Sequence, residues 1–428
     1  MATEADLDGN YKDVYEEFYD LVPRAMVIQQ EVPFDEQNKI GREYVIDVLL
    51  QDENGFTYMT QAVADSTAFA LNDPIGGTEL PAKINSSELV GRSWVSYQQA
   101  ARATSGGKAA FRAVFDGRFQ NSIVSSRKRV ELCLIAGGSG ASAGGLGTTA
   151  SSANATSTTT NVVITAATWA PGIWAGLKTS KVNFYDNGSL VSSGADAIFT
   201  VTNITSSSRT LLITGTATGI TALDAAILAD PTQVKIFFQG AYGEEATGLI
   251  EIAKNTTTLF NIDAASYDLW KGNTKTLSGA PTMGKFLGGL ADAVGRGLDM
   301  DGILLVSSYT WNDLNSNEAA LRVYDSSYKK NMAENGVESI TYYAQNGKVT
   351  VMPYIYMKAC EALFFVPETC RRIGSVDVTY SQPGRGGRIF FDIPAYAGYE
   401  FRSYSDQAIL DTRPATLVYF SGFTNVTT

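Results

Sequence analysis

The chain has 428 residues, enough for two or three domains, with 44% hydrophobic and 18% charged residues, an ordinary globular balance. Its 33 basic and 44 acidic side chains leave a net charge of −11, which argues against gripping nucleic acid through its phosphates. It contains no histidine, so Ser-His-Asp, Cys-His and histidine-based metal chemistry are all excluded. Cys133, Cys360 and Cys370 form no CxxC pair, and an odd count disfavours a disulfide framework. The acidic start MATEADLDGNYKDVYEEFYD has no apolar stretch of the signal-peptide kind. No run approaches the 18 apolar residues that a membrane span needs, so no membrane partner is expected.

In chain order, Tyr11, Val14, Tyr15, Phe18, Tyr19 and Val22 predict a short amphipathic helix, ended near Pro23. Val45–Leu50 reads as a strand. After the turn cluster Asn72–Gly77, Ala82–Glu88 and Arg92–Gln98 read as two strands of a long hairpin around Gly91, with few core residues. Gly107–Ala136 predicts one long helix, about 45 Å at 1.5 Å per residue. Phe111, Val114, Phe115, Phe119, Ile123, Val130 and Leu134 form its apolar stripe, and Gly137-Gly138 stops it.

From Ala141 to Glu245 charges thin out, and Ser, Thr, Gly and Ala dominate, as in SSANATSTTT at 151–160. Strands are expected at Val162–Thr165, Lys181–Tyr185, Ala197–Val201, Thr210–Thr214 and Gln233–Phe238, forming an all-β module, a small barrel or sandwich. Beyond it, Thr282–Gly297 reads as an amphipathic helix, Gly302–Ser307 as a buried strand and Trp311–Leu321 as helical. A hairpin is expected across Gln345-Asn346-Gly347, joining Val337–Tyr343 to Lys348–Met352. Further strands are expected at Ala362–Val366, Gly387–Ile393, Ala397–Ser403 and Ala415–Phe420.

Four patterns bear on chemistry. Gly140–Gly144 matches the nucleophile elbow G-x-S-x-G around Ser142, but it follows a helix and has no base. GAPTMGK at 279–285 matches the front of a P-loop, yet Phe286 stands where Ser or Thr should bind magnesium. Asp292, Asp299 and Asp301 lack the spacing of a calcium loop. Trp169, Trp174, Phe184 and Tyr185 suit the core of a β module better than a sugar-binding face. No catalytic residue, metal or cofactor is expected.

The order of elements resembles the major capsid proteins of tailed bacteriophages, the Hong Kong 97-type fold. The resemblance rests on LPAKINSSELVGRSWVSYQQAAR at 80–102, the long helix, GLIEIAKNTTTLFNIDAASYDLWKGN at 248–273, GILLVSSYTWNDL at 302–314 and RPATLVYFSGF at 413–423. It implies an α+β fold with an N-terminal arm (1–70), an extended hairpin loop (71–106) and the spine helix of a peripheral domain (107–140). The β module (141–245) is an insertion. A peripheral stretch (246–281), an axial domain (282–372) and return strands of the peripheral domain (373–428) follow. It further implies a virion protein, made in the host cytoplasm, that forms hexamers and pentamers and encloses double-stranded DNA without strong binding. Scaffolding, portal and decoration proteins are the partners it implies. Leu89 and Trp94 on the hairpin, with Arg112, Arg127 and Arg129 on the spine, are expected at subunit contacts. The alternatives are another phage structural protein, of tail or decoration type, and a histidine-free carboxylate glycosidase, for which no Asp or Glu pair is placed.

Overall fold

The computed structural model describes residues 26–35, 39–40, 43–60, 68, 70–105, 107–138, 144–322, 340–344, 346–381, 384, 388–394 and 396–426. Its side chains are described at these residues except 39–40, 102–105, 107–120, 317–322 and 340. The helix expected at Tyr11–Val22 and the elbow around Ser142 lie outside the described residues.

A short helix, α1 (Val27–Glu31), leads to strands β1 (Phe34–Asp35) and β2 (Lys39–Ile40). Strand β3 (Glu43–Gln51) then pairs antiparallel with β4 (Thr78–Ile84), from Tyr44 opposite Ile84 out to Gln51 opposite Thr78. This ribbon is the long hairpin of the chain. Strand β5 (Ser87–Ser96) runs straight through Gly91, and helix α2 (Tyr97–Ser105) follows it. Helix α3 (Gly107–Ala136) has the 30 residues expected of the spine. Of its predicted stripe, Ile123, Val130 and Leu134 are buried; Leu132 and Ile135 are buried too, so the last turns are enclosed on more than one side. Phe111, Val114, Phe115 and Phe119 belong to side chains that are not described.

The inserted segment holds β6 (Gly147–Thr156), β7 (Thr159–Ile164), helix α4 (Pro171–Trp174), β8 (Lys181–Asp186), β9 (Ser189–Leu190), β10 (Phe199–Thr205), β11 (Thr210–Thr214), helix α5 (Ala217–Ala229) and β12 (Val234–Phe238). Its strand order is β10-β11-β7-β6-β12-β8-β9, and β10 also pairs with β8. That last pairing closes the sheet into a six-stranded barrel with β9 as an appendage. Closure removes free strand edges. The SSANATSTTT tract carries the end of β6, its turn and the start of β7, and is largely exposed until Thr160, which is buried. One expectation is corrected. The module is not all-β: the 13-residue α5 seats Ile220, Leu223 and Ile227 inward, with Thr216 capping it by accepting from Gly219 N–H.

The chain continues through α6 (Leu249–Lys254), β13 (Thr258–Leu259), β14 (Ile262–Asp263) and β15 (Asn273–Thr276). The amphipathic helix expected at 282–297 is two short ones, α7 (Met283–Gly289) and α8 (Ala291–Gly295), meeting at Leu290. Strand β16 (Gly302–Val306) is buried at every residue, and helix α9 (Ser308–Arg322) follows. Strands β17 (Ile340–Ala344) and β18 (Gly347–Pro353) form the expected hairpin, with Gly347 at positive φ. Next come β19 (Ala362–Phe365), β20 (Cys370–Thr379), β21 (Phe390–Asp392), β22 (Gly398–Asp411) and β23 (Val418–Ser421).

Two more sheets result. One has the order β15-β23-β19-β16-β18-β17 and packs on α7 and α8 through Phe286, Leu290, Phe364 and Phe420. Strand β23, assigned by the resemblance to the peripheral domain, pairs inside this sheet, parallel to β15 and antiparallel to β19. The other has β1-β20-β22-β21, with β5 along the opposite side of β22. Here the expected hairpin around Gly91 is corrected. The partner of β5 is β22, in register from Ser87–Gln407 to Ser96–Gly398. A Cβ at Gly91 would stand 2.3 Å from Ser403 Oγ and 3.1 Å from Ser126 Oγ. Glycine is therefore the residue that lets the spine helix rest on the strand, and it is not at a turn.

Candidate functional site

The surfaces that stand out are apolar and exposed. At its base the β3–β4 ribbon is anchored: Tyr44, Ala82 and Ile84 are buried. Away from the base it projects Leu49 (59% exposed), Phe56 (66%), Tyr58 (90%), Leu71 (77%) and Ile75 (52%). The connection folds back on itself, with Asn54 N–H donating to Ile75 O at 3.0 Å and Asn72 Nδ2 to Phe56 O at 2.6 Å. Covering one such side chain would stabilise a contact by roughly 1.5–3 kcal/mol. A concentration of this kind on a thin ribbon marks an interaction surface.

A second surface lies on β5, where Val95 is buried while Val90 and Trp94 on the opposite face are exposed. Arg92 between them pairs with the buried Glu400 of β22, which also holds Arg402. Leu89, expected at a contact together with Trp94, is half-buried against the chain's own core. Trp94 is 58% exposed and sits where a partner can reach it.

The basic cluster of the spine points inward. Lys128 Nζ donates to the carbonyls of Gly172 and Ala175 at 2.9 and 2.8 Å, at the end of α4. Burial pushes its pKa down to about 8, and neighbouring Arg129 adds to this. The Arg129 guanidinium lies 3.2 Å from the Phe238 ring centroid, and burial lowers its pKa to about 10 against the attraction of Glu245. Glu245 in turn is raised to about 7 by burial, with Arg129 opposing. Arg127 is half-buried, its pKa lowered by burial while Asp377 works against the shift. The side chain of Arg112 lies outside the described residues. Lys128 and Arg129 therefore fasten the barrel to the spine, a role invisible in a run of three basic letters.

The remaining patterns resolve structurally. Lys285 Nζ donates to Ser278 O and Ala280 O, both at 2.7 Å, so the P-loop look-alike presents carbonyls to its own lysine. Asp292 pairs with Lys275, Asp299 with Arg413, and Asp301 accepts from Lys348 N–H. Among the described residues no group of three His, Cys, Asp or Glu side chains is placed to hold a metal ion. Trp169 and Trp174 stack inside, and Phe184 meets Phe199 edge-on in the barrel core. Tyr185, half-buried, stacks on Tyr242. No helix among the described residues is long and apolar enough to cross a membrane.

No family model matches the sequence, and no curated protein matches it. Solved structures do. A chain of the cyanophage A-1(L) capsid asymmetric unit matches with a TM-score of 0.51 over 93% of each chain, at 10% identity. The chain has the Hong Kong 97-type capsid fold. Also similar are the capsid of the native GTA particle (TM-score 0.46, 8% identity, 94% of this chain and 92% of that one) and the bacteriophage PhiM1 mature capsid (0.40, 10%, 93% and 87%). In chain order the β3–β4 ribbon precedes the 30-residue helix α3. The barrel enters just after the spine's glycine stop.

Proposed function

We propose that this chain is the structural subunit of an icosahedral viral capsid, assembling into hexamers and pentamers that enclose double-stranded DNA. The observation that carries this reading is a shared fold over 93% of both chains with a phage capsid subunit. The ribbon supports it: a 26-residue connection, 52–77, that displays Phe56, Tyr58, Leu71 and Ile75 makes sense once a neighbouring subunit covers it. Repeated over a closed shell, modest contacts add through multivalency. In this role the chain needs no active site and no cofactor, and its place is the virion. Scaffolding, portal and decoration proteins are its expected partners. The net charge of −11 keeps the inner wall from binding DNA tightly.

Electron microscopy of the purified protein, with scaffold supplied where required, tests the proposal. Closed shells, tubes or rings are expected. Monomers under every assembly condition, seen also by light scattering, would overturn it.

A further inference from the structure

Glu131 lies in the last two turns of the spine helix and is fully buried. Its carboxylate is shared between two segments far apart in sequence. Ile28 N–H donates to Oε1 at 2.9 Å and Gln29 N–H to Oε2 at 3.2 Å. From the other side the Tyr354 hydroxyl donates to Oε1 at 2.9 Å. Burial raises the pKa of this carboxyl, and these donors, with the Gln29 side chain, work against that shift.

The arm that Glu131 holds is a strap. Its own Met26, Val27, Ile28 and Val32 are buried, Gln29 Nε2 donates to Arg127 O, and Arg372 donates to Gln29 O. Tyr354 continues the chain of contacts. Its ring meets that of Tyr356 edge-on at 5.3 Å, and Lys128 Nζ lies 5.6 Å from the Tyr356 ring centroid. The same ammonium holds the carbonyls of Gly172 and Ala175 in the barrel. Between the two tyrosines, Ile355 O stands 2.4 Å from where a Cβ at Gly172 would be, so backbone presses on backbone. Ala359 N–H closes this interface by donating to Trp169 O at 3.0 Å.

We infer that Glu131 couples the docking of the arm at residues 26–35 to the seating of the inserted barrel on the spine helix, through Tyr354. When the arm lifts, every donor but Tyr354 leaves and water reaches the carboxylate. A buried carboxylate keeping one donor is strongly disfavoured, so Glu131 and Tyr354 must rearrange together. Tyr354 cannot shift without moving Ile355 against Gly172, because packed backbone does not yield continuously. Arm and barrel then bias one two-state element, which is what coupling between sites requires. The coupling belongs to the single chain and is readable on unassembled subunits.

Hydrogen exchange on the unassembled full-length chain tests it. The buried Val32→Asp lifts the arm without touching Glu131. It should speed exchange of amides in 170–177, on the order of tenfold, along with those in 26–33. In a Tyr354→Phe background, which keeps the ring but removes the donor, V32D should speed only the arm. Glu131→Gln, if folded, should loosen both segments. Loosening of the arm with unchanged exchange at 170–177 in the wild-type background would overturn the inference, as would an unchanged response in Tyr354→Phe.

Discussion

Glu245 illustrates how much one side chain depends on what surrounds it. It lines a cavity of about 150 Å³ where the barrel rejoins the spine, facing Arg129 and Cys133 of α3, Glu88 of β5 and its neighbour Glu244. Burial raises its pKa from 4.5 to about 7. The folded chain therefore binds this proton more tightly than the unfolded chain. The stability contributed by the group is full below pH about 4.5 and is lost as the pH rises through about 7, by at most about 3 kcal/mol. Glu245→Gln should flatten this fall while leaving Arg129 on the Phe238 ring. Urea midpoints for both proteins from pH 4.5 to 8 check it, and parallel curves would show that Glu245 does not titrate in that window. None of this was legible beforehand. Arg129 and Glu245 are 116 positions apart, and a basic triplet on a helix looks the same whether it faces water or a barrel.

At the scale of elements, the spine, the β16 strand and the Asn-Gly hairpin were legible because local signals decide them: periodicity, an apolar run, a turn that glycine permits. The strand pairing expected around Gly91 failed for the opposite reason. Strand β5 pairs with β22, whose residues are some 300 positions later, and no local signal encodes that partner. The β3–β4 ribbon starts earlier, at Glu43, and most of its exposed apolar residues lie in the connection between its strands. The two ends of the ribbon should behave differently. Phe56→Ser, Tyr58→Ser and Leu71→Ser together touch exposed side chains, so the subunit should melt nearly unchanged while shell yield collapses. Tyr44→Ala, at the buried base, should instead destabilise the subunit by about 3–5 kcal/mol. Calorimetry on subunits and sedimentation of assembly mixtures separate the cases. Normal shells from the triple variant would remove the ribbon from the assembly contacts.

At the scale of the molecule, the question is whether the barrel is a unit of its own. Regular strand spacing made it visible in sequence, but closure was not, because the β10–β8 pairing is short: Phe199 opposite Val182 and Thr200 opposite Lys181. Its interior is built from its own strands, with Ile164, Val182, Phe184, Phe199, Val201, Leu211, Ile213 and Ile236 buried and α5 packed over them. No strand of this sheet pairs with another sheet among the described residues. Against independence stands the face formed by 166–175, which packs on 355–360 through Gly172 and Trp169 O. An isolated barrel therefore loses one apolar face but keeps its sheet and core. Residues 144–241 expressed alone should give a β-type circular dichroism spectrum and a cooperative melt, at lower temperature than the barrel within the chain. A random-coil spectrum would mean that the spine and residues 355–360 are part of its folding unit. If the barrel stands on the outer face of a shell, as an insertion that leaves the interior free for DNA should, the Asp186-Asn187-Gly188 turn will be cut by protease in intact particles. Protection of that turn in shells, together with cleavage in free subunits, would place the barrel inside or between subunits instead.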